Sequence, residues 1–214
     1  MANLGIVFDL DGTLVDSLSF TLEAFNYGIV SQGGKALSPA EIMKFFGPGE
    51  GDIFSAILGE AKSVPAYLAY QRFVDENLQK MPLHTGVPEL LEQLKSASVP
   101  IAIFTGRSWP TTELILKHHG LLDRFITIVA SDHVNMPKPS PEGLHLALSK
   151  MKLRPADVLF VGDSHFDMQA ARVAGAKGVA ALWDLLADRK SLEKQNPHHW
   201  AKTPGEIFEI YNGL

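Results

Sequence analysis

The sequence contains no cysteine. Disulfides, thiolate metal sites and cysteine nucleophiles are therefore excluded, and the absence fits a reducing compartment. No apolar run approaches the roughly 20 residues needed to cross a bilayer; the early stretch from Leu4 to Phe8 is interrupted by Asp9. No basic segment precedes a longer apolar block, so no secretory signal is expected and the cytoplasm is the expected location. Positive charge is not in excess either. The formal net charge is −5, whereas a nucleic-acid binder needs a basic stripe to displace counterions from phosphates. Repeats and low-complexity tracts are missing. What remains is an ordinary globular composition, 46% hydrophobic and 20% charged over 214 residues. That length holds one core, or a core domain with a small second one.

Several short apolar runs end at polar, chemically useful residues: Leu4–Phe8, Pro100–Phe104, Ile126–Ala130, Val158–Val161 and, more weakly, Gly178–Leu182. None alternates cleanly, which is how strands buried on both faces of a parallel sheet read. Helix-like segments lie between them. Val87, Leu90, Leu91 and Leu94 follow the spacing of one helix face over Val87–Ala97. Pro110–His119 and Phe166–Ala174 also read as helices, stopped by Gly120 and Gly175. Ser140-Pro141-Glu142 reads as N-cap, first-turn proline and first-turn acid. Strand and helix thus alternate from Thr85 onward, predicting an α/β fold with a parallel sheet.

Between about Val15 and Pro82 the alternation breaks. No convincing strand occurs there, while Ser38-Pro39-Ala40-Glu41 forms a capping box and Pro65–Leu78 reads as a helix. The expected division is an α/β core of residues 1–14 and 84–214, with a helical cap of residues 15–83. Leu14–Asp16 and Met81–His84 are the expected hinges.

Asp9-Leu10-Asp11-Gly12-Thr13 falls where the first strand should end, and open parallel sheets bind ligands beyond the carboxyl ends of their strands. Once the chain leaves extended geometry, both carboxylates can face one crevice. One can then serve as nucleophile or metal ligand while the other handles a proton. Taken alone, Asp-x-Asp reads equally well as a polar strand-to-loop transition with Gly12 serving the turn.

The longer run Phe8-Asp9-Leu10-Asp11-Gly12-Thr13-Leu14-Val15-Asp16-Ser17 closely resembles the opening motif of the haloacid dehalogenase-like hydrolase superfamily. Three further motifs resemble that family's in the same order: Ile103-Phe104-Thr105-Gly106-Arg107, Met136-Pro137-Lys138-Pro139-Ser140-Pro141, and Gly162-Asp163-Ser164-His165-Phe166-Asp167. The resemblance spans the chain, with the helical insertion similar to the family's small cap. It implies a Rossmann-like parallel sheet flanked by helices, with an all-helical cap inserted after the first strand.

The resemblance also implies roles. Asp9 would attack phosphorus and form an aspartyl-phosphate; Asp11 would protonate the leaving alcohol and then activate water. Members that displace halide typically lack the second aspartate, so Asp11 favours phosphoryl transfer. Thr105 and nearby backbone N–H groups would hold a phosphate oxygen, with Gly106 and Arg107 binding substrate. Lys138 would supply the cation that two carboxylates and a phosphate require. Mg2+ is the expected cofactor, held by Asp9, the Asp11 carbonyl and Asp163, with Asp167 nearby on a metal water or on Lys138.

The expected activity is hydrolysis of a small organic phosphate monoester. A sugar phosphomutase of the β-phosphoglucomutase type is the alternative. A non-catalytic binding protein of this fold and a phosphonate hydrolase rank below both. The expected partner is a small phosphorylated metabolite, with no nucleic acid and no membrane, and the chain acting as monomer or homodimer. Phe45-Phe46-Gly47-Pro48-Gly49-Glu50 is the expected cap segment facing the site. Lys62 and Arg72 are candidate substrate contacts, His84 a residue able to approach the site, and His165 the histidine expected to touch it.

Overall fold

The computed structural model describes residues 4–214. Among these, one parallel sheet contains β1 (Gly5–Phe8), β2 (Ile101–Phe104), β3 (Ile128–Val129), β4 (Val158–Gly162), β5 (Lys177–Ala181) and β6 (His199–Ala201). The strand order is β3-β2-β1-β4-β5-β6, so β1 lies inside the sheet between β2 and β4. The order reverses direction beside β1, the place where open α/β sheets form a ligand crevice.

The strands read as unbroken apolar runs because both faces are covered. Ile6 and Phe8 pack on one face with Ile103, Leu159 and Val161. That face is closed by α5 (Val87–Ser96), α6 (Trp109–His118) and α10 (Gly205–Asn212) through Leu91, Ile115 and Ile207. Val7, Phe104 and Phe160 occupy the other face, under Leu144 and Leu148 of α7 (Glu142–Met151) and Ala170 and Ala174 of α8 (His165–Ala174). Each fully buried Ile, Leu or Phe contributes about 1.5–3 kcal/mol. Near β6 lies the short α9 (Arg189–Glu193).

Between β1 and α5 come α1 (Leu18–Ser31), α2 (Pro39–Met43), α3 (Glu50–Leu58) and α4 (Glu60–Asp75), with no strand among them. Ser38 caps α2 as its sequence predicts: its hydroxyl accepts from Glu41 N–H, and the Glu41 carboxylate accepts from Ser38 N–H at 2.8 Å. Phe25, Phe54 and Tyr70 form the aromatic centre of this insertion, with ring centroids 4.9 to 5.8 Å apart. The two chain segments joining insertion and core pair antiparallel at Val15 and Leu83. Asp16 N–H donates to the Pro82 carbonyl at 2.8 Å and His84 N–H to the Leu14 carbonyl at 3.0 Å. No helix among the described residues is long and apolar enough to cross a membrane.

Three elements differ from their sequence reading. His199-Trp200-Ala201, which none of the apolar runs marks as a strand, forms edge strand β6, whose three residues are too few to show a periodicity. Helix α4 begins at Glu60, ahead of Pro65, which sits inside it. Helix α7 starts one residue later than expected, with Pro141 at the N-cap position, while the Ser140 hydroxyl accepts from Glu142 N–H at 3.3 Å.

Candidate active site

Asp9, Thr105 and Asp163 each follow the last residues of a strand, at the carboxyl end of the sheet. Beyond Asp9 the chain curls tightly: Leu14 and Val15 N–H both donate to the Leu10 carbonyl at 2.9 Å, and Gly12 N–H to the Val15 carbonyl at 2.9 Å. Gly12 has φ +71°, and a Cβ there would lie 2.4 Å from Asp163 Oδ2. Only glycine lets the loop pass this close to that carboxylate. The curl abolishes strand alternation, so Asp9 and Asp11 line the same cavity of about 300 Å³ with Arg107, Lys138 and Asp163.

Lys138 is buried, and its ammonium donates to Asp9 Oδ1 at 2.7 Å and to Asp167 Oδ1 at 2.6 Å. It also lies 5.0 and 5.3 Å from the ring centroids of Phe104 and Phe160, whose faces favour a cation. Burial alone would lower the lysine pKa, but the carboxylates of Asp167 and Asp9 outweigh it and raise it. Asp167 is fully buried, and its second oxygen accepts from Ser164 N–H at 3.1 Å and from the Ser164 hydroxyl. It thus caps α8 and positions Lys138 together. Burial pushes the Asp9 carboxyl up to about 7, against the lowering influence of Lys138.

Asp11 sits in a different environment. Its carboxylate accepts a fork from Arg107, Nε to Oδ2 at 2.9 Å and Nη2 to Oδ1 at 2.5 Å, and a bond from the Ser17 hydroxyl. Burial opposes the charged form, yet Arg107 and Ser17 outweigh it and hold the pKa below the usual carboxylate range. Arg107 is only 4% exposed. The rest of its guanidinium faces the insertion, donating to Tyr70 Oη at 2.6 Å and Thr21 Oγ1 at 2.8 Å, with Glu50 Oε1 at 3.9 Å. Glu50 is itself buried and accepts from Ser108 N–H at 2.7 Å; burial raises its pKa despite Arg107. One core arginine therefore binds the core carboxylate and three side chains of the insertion.

The carboxylates of Asp9, Asp163 and Asp167 each place an oxygen within 4.8 Å of the others, and all three are buried. Burial, and after it the charges of Asp9 and Asp167, raise the Asp163 pKa well above normal. The one ammonium beside these three buried carboxylates bonds to Asp9 and Asp167 only, and an all-oxygen donor set short of positive charge fits a hard divalent cation such as Mg2+. Both Asp167 oxygens already have protein partners, which leaves Asp9 and Asp163 as the better direct ligands.

The other sequence candidates are distributed unevenly. Gly106, His165, Phe46, Gly47, Pro48 and Glu50 line the cavity. The Thr105 side chain is buried, and its hydroxyl accepts from Arg107 N–H at 3.1 Å. Lys62 and Arg72 are exposed and do not line the cavity; Lys62 donates instead to the Gln32 carbonyl at 3.0 Å. His84 faces Asp184, not the cavity. Sequence reading missed Thr21 and Tyr70. Both occupy buried helix positions that read as core, and no local pattern announces a hydrogen bond to a residue in another part of the chain.

The model of the haloacid dehalogenase-like hydrolase family matches residues 6–181. The chain is 31% identical over 210 residues to the pyrophosphatase PpaX of Bacillus cereus, covering 98% of this chain and 96% of that one. It is similar in structure to a haloacid dehalogenase-like family hydrolase of Streptococcus pneumoniae, with TM-score 0.79 and 28% identity over 98% of this chain and 99% of that one. It also shares the fold of a predicted phosphoglycolate phosphatase from Haemophilus somnus, with TM-score 0.85 and 24% identity over 99% of each chain. The carboxylate pair after β1, the buried lysine and the aspartate after β4 thus stand in a known framework, and the chain belongs to the haloacid dehalogenase-like hydrolases.

Proposed function

We propose that this protein is a Mg2+-dependent phosphatase of small phosphate esters or anhydrides that carry a second negative group. The observation that carries the reading is the pairing of Asp9 with Lys138 and of Asp11 with Arg107 in one cavity. An Asp9 oxygen attacks phosphorus while the bond to the leaving oxygen breaks, giving an aspartyl-phosphate. Asp11 delivers a proton to the leaving oxygen, then takes one from the water that attacks phosphorus and frees Asp9. Lys138 offsets the charge of Asp9 and the phosphoryl oxygens, and the Thr105 hydroxyl with neighbouring N–H groups holds an equatorial oxygen. Mg2+ held by Asp9, Asp163 and the Asp11 carbonyl would supply further neutralisation of phosphoryl charge.

Arg107 narrows the substrate. While its fork grips Asp11 that carboxylate stays ionised, whereas proton delivery needs it protonated. A phosphate or carboxylate on the substrate competes for the same fork and releases Asp11. Pyrophosphate, suggested by the PpaX relatives, has such a group; phosphoglycolate does as well. Residues 15–83 act as a cap in this reading, over a core of residues 1–14 and 84–214. Leu18, Phe25, Met43, Phe46 and Ile53 from the cap give the cavity an apolar roof that excludes water. The cap contributes no lysine or arginine to the described cavity wall, and such cations would be expected if a mutase held a second phosphate there.

The test is phosphate release from pyrophosphate, phosphoglycolate, sugar phosphates and nucleoside monophosphates, with Mg2+ or with chelator. Turnover that requires Mg2+ and favours substrates with a second anion is expected. Isomerisation of a sugar phosphate in the presence of a bisphosphate primer would overturn the phosphatase reading.

A further inference from the structure

A second group of ligating side chains gathers at the hinge, outside the cavity. Asp16 stands on the chain entering the helical insertion, His84 on the chain leaving it, and Asp184 just beyond β5. One ligand atom from each lies within 4.8 Å of the others. His84 and Asp184 are 9% and 7% exposed, while Asp16 is exposed. None of the three lines the cavity around Asp9.

His84 Nε2 is enclosed and has no hydrogen-bond partner among the described residues. It lies 3.3 Å from Asp184 Oδ2, close enough for attraction but without the alignment of a hydrogen bond. A buried ring nitrogen without a partner is costly, and groups of this kind call for an explanation. The separation has one. Two ligands each about 2.1 Å from a tetrahedral ion stand roughly 3.4 Å apart. Asp184 is also oriented for the purpose: its Oδ1 accepts from Leu186 N–H at 2.7 Å, leaving Oδ2 towards His84.

We propose that Asp16, His84 and Asp184 form a binding site for a divalent transition-metal ion of the zinc class. One imidazole with two carboxylates suits such an ion, whereas the all-oxygen set around Asp9 suits Mg2+. The site has a mechanical consequence. Asp16 and His84 flank the paired segments at Val15 and Leu83, and Asp184 belongs to the core. A bound ion ties both connections of the insertion to the core and stiffens the hinge about which the insertion would move.

The experiment uses the full chain, stripped with chelator and then held in saturating Mg2+ so that the Asp9 centre is filled. Zn2+ is titrated by calorimetry, and Co2+ by its visible absorption, which reports nitrogen and oxygen ligation directly. Wild type should bind one Zn2+ that His84→Gln weakens by at least about 100-fold and Asp184→Asn by about 10- to 100-fold. Melting temperatures in chelator show whether each variant folds. Should His84→Gln fail to fold, Asp16→Asn, at an exposed position, carries the same comparison. Zn2+ binding unchanged by these substitutions would belong to the Asp9 centre and overturn the proposal. No Zn2+ binding by wild type would overturn it too, leaving His84 and Asp184 as an ion pair. Neither outcome bears on phosphate release in Mg2+, which stands or falls separately.

Discussion

Asp9 and Asp11 are two positions apart in the chain and are shifted in opposite directions. Asp9 is pushed up to about 7 by burial, and Asp11 is held low by the Arg107 fork despite burial. The first shift fixes a sign. Between the unfolded value near 3.9 and about 7, the folded metal-free protein holds more protons on Asp9 than the unfolded chain does. Stability from this group therefore falls as pH rises through that window. A cation that binds the ionised carboxylates reverses the loss, so the rise in melting temperature on adding Mg2+ should be larger at about pH 8 than at about pH 5. An equal rise at both would show that the buried carboxylates do not take the ion. Asp9→Asn should lower turnover by at least about 10⁴-fold, because an amide forms no acyl phosphate; single-turnover kinetics with Mg2+ present would measure it. Arg107→Lys keeps the charge but loses the planar fork. It should cost roughly 10- to 100-fold in kcat/KM for substrates with a second anion and less for those without one. An equal loss on both substrate types would remove Arg107 from substrate recognition.

The strands β1, β2 and β4 deliver the site because each ends within reach of the cavity and each is held by neighbours on both sides. Gly162, the last residue of β4, shows how tightly this is built: a Cβ there would lie 2.4 Å from the Asp167 carboxyl carbon. Gly162→Ala should displace Asp167, loosen Lys138 and cost about 1–3 kcal/mol of stability. A crystal structure of the variant with Asp167 still 2.6 Å from Lys138, together with full activity, would contradict this account of the glycine. The inner strands were legible from sequence because strands covered on both faces form apolar runs that end abruptly at Asp9, Thr105 and Asp163. Strand β6 was not, since three residues at a sheet edge show no period and two of them are half-exposed. The α4 start was misplaced because Pro65 normally marks a first turn, yet here it lies inside the helix.

The molecule as a whole joins a rigid sheet to a helical roof through two paired segments, and Arg107 bridges the two parts. The candidate site was legible where one stretch of chain carries its chemistry, as in Asp9-Leu10-Asp11-Gly12 and Gly162-Asp163. It was illegible where function arises from contact between distant elements. Thr21, Tyr70 and Asp184 look like ordinary helix or loop residues until the fold sets them beside Arg107 and His84. In the proposed reaction Asp9 carries the phosphoryl group between substrate and water. The direct measurement is rapid quench during turnover, borohydride reduction of the acyl phosphate and peptide mass mapping. Conversion of the Asp9 side chain to the homoserine alcohol, dependent on both substrate and Mg2+, is predicted. Turnover with no reduced residue at position 9, or with reduction at Asp11 or Asp163 instead, would contradict the account.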